Sequence, residues 1–237
     1  MNNNIAICYF GLHRSTKKVY KSHHKYIFNE LDNNKIKYKI FMHTWSIDNG
    51  KINTWGKESG KLIDYEEYKL LKPDVYSINN QDFFLERLKF SDYFYKHIWD
   101  TIGHSKKGEW LPGLIKNHLC ALESMRRCIN LVDLNEYNKV IFIRPDCVIK
   151  QNLPIEDILN MGNNSILIPR GLDFEGIYDR CAICTKFNAF YYGKRIKELK
   201  EYRKKYGRIV SEKCTKYIID KYNIDVKRIK FKMNIIR

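Results

Sequence analysis

Residues 136–150 read EYNKVIFIRPDCVIK. The run Val140-Ile141-Phe142-Ile143 is apolar and mostly β-branched, and Arg144-Pro145-Asp146 stops it abruptly before Cys147-Val148-Ile149 resumes. Consecutive apolar residues bounded by polar ones read as a strand buried on both faces, as in a parallel sheet. Pro145 cannot donate to a ladder, so the strand is expected to end or bulge there. Asp146 then arrives at the carboxyl edge of a central strand, where open α/β sheets bind their ligands. On residues alone, Asp146 can equally be a surface carboxylate paired with Arg144, or a turn cap.

The strands on either side fit that frame. Residues 4–10 (NIAICYF) form a second fully apolar strand, stopped at Gly11. A loop holding Arg14 follows, with Ser15 or Thr16 as the cap of a helix over residues 17–31 whose inner face is Val19, Ile27 and Leu31. Strand, glycine turn and helix open a nucleotide-binding unit, although one glycine is a far weaker signal than G-x-G-x-x-G. Arg14 places a cation near a helix N-terminus, where phosphate is already favoured. Residues 37–43 (KYKIFMH) predict another strand, ending at His43-Thr44-Trp45. Trp45 there either packs under a loop or meets a ligand.

Residues 46–61 read as a loop, 74–78 as a short edge strand, 83–99 as aromatic-rich and helical, and 101–109 as a loop. Residues 111–131 are the clearest helix, with Leu114, His118, Leu122, Met125 and Ile129 as a stripe toward the sheet. His118 interrupts that stripe as a core histidine or as a ligand-facing one. Beyond Asp146, Pro154 opens a short helix with Asp157 in its first turns, and residues 165–169 (SILIP) form a strand. A loop over 170–178 carries Asp173 and Glu175, and Asp179-Arg180 lead into a strand over 181–184. Residues 188–206 are helical, basic and tyrosine-rich. Ser211-Glu212 begin the last helix, to about Tyr222, and residues 228–236 alternate as an exposed terminal strand.

With 237 residues, 44% of them apolar, the chain can bury a sizeable core despite 30% charged residues. No repeat or linker divides it, so one domain is expected, an α/β fold with a mostly parallel central sheet flanked by helices. No run approaches the ~18 apolar residues of a membrane span, and the MNNN start is unlike a signal peptide. A soluble, cytoplasmic protein is expected. Seven cysteines, odd in number and set in apolar patterns, fit buried reduced thiols, and Cys181-x-x-Cys184 lacks the second pair a zinc site needs. The formal charge of +16 invites nucleic acid, through residues 194–208 and the C-terminus. Over-use of Lys, Asn, Ile and Tyr together follows equally from A/T-rich coding, and scattered lysines suit an anionic small substrate as well. Nucleic acid is not the expected partner.

The residues expected at the cleft are Arg14, His43, Arg144, Asp146, Asp179 and Arg180. An Asp beside phosphates can hold Mg²⁺ or Mn²⁺ with only one or two protein carboxylates. A second carboxylate such as Asp179 can deprotonate an acceptor hydroxyl.

Five stretches, in order, carry a resemblance: IAICYFGLHRS, KIFMHTW, YNKVIFIRPDCVI, SILIPRGLDFEGIYDRCAI and the closing SEKCTKYIIDKYNIDVKRIKFKMNIIR. Together the chain resembles the GT-A-type glycosyltransferases of large DNA viruses and bacteria that have R-x-D in place of the more usual D-x-D. The resemblance implies a GT-A-like fold and metal-assisted transfer of a sugar from a UDP- or GDP-linked donor to a hydroxyl of a glycan or other acceptor. It implies donor contacts at Phe10, Gly11 and Arg14, metal–diphosphate contact at Asp146 with Arg144 alongside, and a catalytic or acceptor-side carboxylate at Asp179. His43, Trp45, His118 and Arg180 are the further candidates. The missing first Asp leaves Arg144 either to carry phosphate charge itself or to hold Asp146 by a salt bridge. A catalytically inactive scaffold of the same fold is the other reading.

Overall fold

The computed structural model describes residues 4–50, 60–94, 110–171 and 173–236. The sequence reading of residues 101–109 as a loop, and those for 51–59 and 95–99, lie outside the described residues.

A seven-stranded sheet organises the chain. Its strands are β1 (Ile5–Phe10), β2 (Tyr38–Ser46), β3 (Val75–Asn80), β4 (Lys139–Ile143), β6 (Ser165–Pro169), β7 (Cys181–Thr185) and β8 (Asp225–Ile229). They lie in the order β3-β2-β1-β4-β7-β6-β8, so β4 is the middle strand. All neighbours are parallel except β7, which runs antiparallel to both β4 and β6. Residue pattern tracks position in the sheet. The continuous apolar runs are the interior strands, whereas the edge strands β3 and β8 alternate between covered and exposed.

Helices cover both faces. The chain after β1 forms α1 (Thr16–His23), a widened π turn (His24–Phe28) and α2 (Asn29–Asn33), a longer helical stretch than the pattern over 17–31 suggests. Val19, Ile27 and Leu31 are buried as expected. Neither expected cap operates. Ser15 sits left-handed at φ 60° without a side-chain cap bond, and the Thr16 hydroxyl donates back to the His13 carbonyl at 2.6 Å. On β1, the Tyr9 hydroxyl meets His23 Nδ1 of α1 at 2.9 Å, while the free thiol of Cys8 on the opposite face lies beside that of Cys128 of the helix α4 (Trp110–Ile129). After β3 come α3 (Gln81–Glu86) and a 3₁₀ turn (Phe90–Asp92), so over residues 83–94 the helix the aromatic pattern predicts is interrupted.

α5 (Ile155–Leu159) starts at Pro154 as expected. The basic stretch after β7 is broken into α6 (Lys186–Gly193), a 3₁₀ turn (Arg195–Glu198) and α7 (Leu199–Tyr206), and α8 (Ser211–Lys221) follows. The C-terminal segment is not one exposed strand. β8 joins the main sheet, and β9 (Met233–Ile235) pairs antiparallel with β5 (Cys147–Ile149), with Ile229, Phe231 and Met233 buried between them. Two pairings compete for one alternating pattern, which the pattern alone cannot divide. The seven cysteines are buried free thiols. No helix among the described residues is long and apolar enough to cross a membrane.

Candidate functional site

β1 and β4 are neighbours, yet the chain leaves β1 toward β2 on one side and reaches β4 on the other. The carboxyl ends of β1 and β4 therefore flank a topological switch point, the place where open α/β sheets form a crevice. A cleft of about 360 Å³ lies there. Phe10, Gly11 and Arg14 reach it from the end of β1, Arg144 from the end of β4, and Asp179 and Arg180 from the entry to β7. Trp45 and His118 complete the predicted residues that line it. His43 and Asp146 do not.

Gly11 makes the first turn possible. Its φ of 98° is a left-handed conformation that side-chain-bearing residues avoid, and its N–H donates to Ser124 Oγ at 2.7 Å. The same hydroxyl lies 2.7 Å from His43 Nδ1, and His43 Nε2 lies 3.0 Å from Asn79 Oδ1. With both ring nitrogens engaged and the side chain buried, His43 braces the Gly11 turn from behind the cleft. Burial lowers its pKa to about 4. Trp45 is also mainly a packing residue. Its Nε1–H donates to the Cys120 carbonyl, its ring stacks on Phe84, and only its edge reaches the cleft.

Asp146 lies just under the cleft, completely buried. Arg144 donates from Nε to Oδ1 at 2.9 Å and from Nη2 to Oδ2 at 2.7 Å, and Arg14 Nε donates to Oδ2 at 3.4 Å. Burial alone would raise the carboxyl's pKa; Arg144 and then Arg14 more than offset it and hold the group below its ordinary range. Asp146 is thus the counter-ion that orients two cleft-facing arginines.

That arrangement does not fit the expected Mn²⁺ or Mg²⁺ at Asp146. Both oxygens already accept from cations, and a divalent ion would have to displace a guanidinium and sit beside two positive charges. Among the described residues, no three His, Cys, Asp or Glu side chains converge as a metal site.

Asp179 differs from Asp146 in every respect. It is partly exposed to the cleft and makes no hydrogen bond or ion pair among the described residues. Its charge acts on Arg144, on His118 and on Glu212, all of which line the same cleft. His118 is therefore not the sheet-facing residue its stripe suggests. Met125 and Ile129 of α4 do pack into the sheet core, while Leu114, His118 and Leu122 line the cleft, Leu122 also packing against Ile196 and Leu199. Burial lowers the His118 pKa to about 4, against a smaller opposing effect of Asp179, so the imidazole is neutral at pH 7. Arg180 lays its guanidinium 5.6 Å from the Tyr178 ring centroid.

Sequence reasoning missed Glu212, Arg195 and Arg208, which also line the cleft. Glu212 reads as an N-terminal helix residue and is one. Its role at the cleft comes from the loop over 170–178, where Ile177 N–H donates to the Glu212 carbonyl at 2.9 Å. Burial, reinforced by Asp179, raises its pKa. Arg195 sits in a basic stretch where nothing local marks one arginine for the interior, and Arg208, at the end of that stretch, is exposed where it lines the cleft. No protein-family model matches the chain, and no curated protein is significantly similar to it.

Proposed function

We propose that this protein is a nucleotide-sugar-dependent glycosyltransferase whose donor diphosphate lies against Arg14 and Arg144. The observation that carries the reading is the cleft at the β1/β4 switch point, whose walls supply fixed guanidiniums and a carboxylate, Asp179, that has no partner among the described residues. Such a site suits a phosphate-bearing ligand, and the five-part sequence resemblance narrows that class to a nucleoside diphosphate sugar. An acceptor hydroxyl oxygen attacks the anomeric carbon while the bond from that carbon to the diphosphate oxygen breaks. The bonding pair leaves on the diphosphate, whose added charge faces Arg14 and Arg144. The hydroxyl proton passes to the Asp179 carboxylate, the one cleft carboxylate without a protein partner among the described residues.

The nucleic-acid reading loses two of its four tyrosines to the core, Tyr192 and Tyr202, while Tyr191 stacks on Tyr222 at 4.1 Å and Tyr206 stays exposed. Calorimetric titration with UDP, GDP and their sugar conjugates tests the proposal. Binding in the micromolar to millimolar range is expected, weakened by Arg144→Ala, with donor turnover lost in Asp179→Asn while binding persists. No binding at millimolar nucleotide sinks the proposal. Binding without turnover in the unmodified protein, across donors and acceptors, would leave an inactive scaffold of the same fold.

A further inference from the structure

Arg195 is an unusual residue for its position. It is 2% exposed, and no carboxylate pairs with it among the described residues. Its Nη1 donates to the Tyr192 carbonyl at 3.0 Å and to the Met125 sulfur at 2.7 Å, and its guanidinium lies 4.0 Å from the Tyr192 ring centroid. These contacts fix the group without neutralising it. Its Nε has no hydrogen-bond partner although it is closed to solvent. Buried cations are normally paired, because an isolated one forfeits its hydration for nothing.

His118 repeats the pattern from the facing helix. Its Nε2 is likewise closed to solvent and unpartnered, and it lines the same cleft. Arg195 and His118 lie close enough for the arginine's charge to act on the imidazole. Two buried polar atoms without partners, one on a fixed cation, sit in the same cleft wall, and Arg208 lines that cleft as well. Natural interiors rarely leave such atoms unsatisfied, and where they do a ligand or ion is the usual reason.

This wall is not the diphosphate position. Arg14 and Arg144 come from the ends of β1 and β4, whereas His118 comes from α4 and Arg195 from the turn after α6. The two positions adjoin in one cleft, since Asp179 acts on both Arg144 and His118 and Arg144 itself acts on His118.

We propose that Arg195 and His118, with Arg208, form a second anion subsite in the cleft, and that the substrate seated there carries an acidic oxygen group, a carboxylate or a phosphate ester. Under the transferase reading, on which the word acceptor rests, this is the acceptor side of Asp179: the acceptor is an acidic sugar. Because Arg195 Nε and His118 Nε2 are closed to solvent, seating the anion turns both side chains so that these nitrogens face the cleft their residues line, where Arg195 donates from Nε and His118, in the tautomer protonated on Nε2, donates beside it.

The test is titration of the full chain with glucose, glucuronate and glucose 6-phosphate, each with and without saturating UDP. One or both acidic sugars should bind at least about tenfold more tightly than glucose. Preference for glucuronate assigns a carboxylate, and preference for glucose 6-phosphate assigns a phosphate ester. Arg195→Gln should abolish the preference and Arg195→Lys reduce it, while UDP affinity stays unchanged. Should the Arg195 variants not fold, His118→Ala reads the same subsite from α4 and should weaken the acidic sugar several-fold. Equal or absent binding of all three sugars overturns the proposal, as does a folded His118→Ala or Arg195→Gln that keeps the preference. Loss of UDP binding alone, with acidic-sugar binding intact, counts against the transferase reading and leaves the subsite standing.

Discussion

Arg144 holds Asp146 with two parallel hydrogen bonds, Nε to Oδ1 at 2.9 Å and Nη2 to Oδ2 at 2.7 Å, across the single residue Pro145. Arg14, from the loop after β1, joins the same carboxylate at 3.4 Å. The triplet therefore ties the ends of two neighbouring parallel strands together at the point where their connections diverge. The carboxylate is spent on positioning two cations rather than presented to a ligand.

Asp146→Asn is expected to destabilise the fold by about 3–5 kcal/mol, because it leaves two partly buried guanidiniums without their counter-ion. Asp179→Asn, which breaks no bond among the described residues, should stay within about 1 kcal/mol of the parent. Urea unfolding of the two variants side by side checks this. Equal stability in both would remove Asp146 from its structural role.

Chelation offers a separate check. With the diphosphate charge met by Arg14 and Arg144, UDP or GDP affinity in EDTA should match that in Mn²⁺ within about a factor of three. A much larger loss of affinity in EDTA, together with Mn²⁺ binding that disappears in Asp146→Asn, would restore the carboxylate as a metal ligand.

Acid should unfold the protein early. His13, His23 and His43 are all fully buried, and burial lowers each pKa to about 4. The unfolded chain takes up protons on these residues from about pH 6.5 downward, whereas the folded chain does so only near pH 4. Stability is thus complete above about pH 6.5 and lost as pH falls toward 4, by on the order of 5 kcal/mol between pH 7 and pH 5. Urea midpoints measured at those two values test it; identical midpoints would contradict the neutral, buried assignment.

Much of this was legible because burial on both faces leaves a continuous apolar run. Ile5–Phe10 and Val140 to Ile143 declare interior strands, and the residues that end or follow them, Gly11, Arg14 and Arg144, fall at the cleft. The failures share a cause. His118 and Leu114 obey the same helical period as Met125 and Ile129, and period alone does not say where along α4 the sheet gives way to the cleft. Arg195 looks like any lysine-rich neighbour until Met125 and Tyr192 are seen to enclose it. Glu212 needed a loop thirty-odd residues upstream to be placed against it. His43-Thr44-Trp45 continue β2 inward because β3 extends to pair with them, a long-range fact.

Gly176 is the place where that loop can be interrupted without touching a charged group. A Cβ built there would lie 2.2 Å from both the carbonyl carbon and the oxygen of Glu212, and 2.5 Å from the Lys213 nitrogen. These are backbone atoms at the start of α8, so a methyl group cannot be accommodated by a rotamer change. Gly176 N–H also donates to the Asp173 carbonyl at 2.7 Å, which holds the loop in register with Glu212. Gly176→Ala should therefore separate the loop from α8 and shift Glu212 relative to Asp179. The expected result is a loss of turnover and of acidic-sugar binding, with UDP affinity at Arg14 and Arg144 nearly unchanged. Gly113→Ala is the control: its Cβ would meet nothing within 4 Å, and in the first turn of α4 alanine should stabilise by up to about 1 kcal/mol. If Gly176→Ala behaves like Gly113→Ala in stability and binding, the loop does not position Glu212.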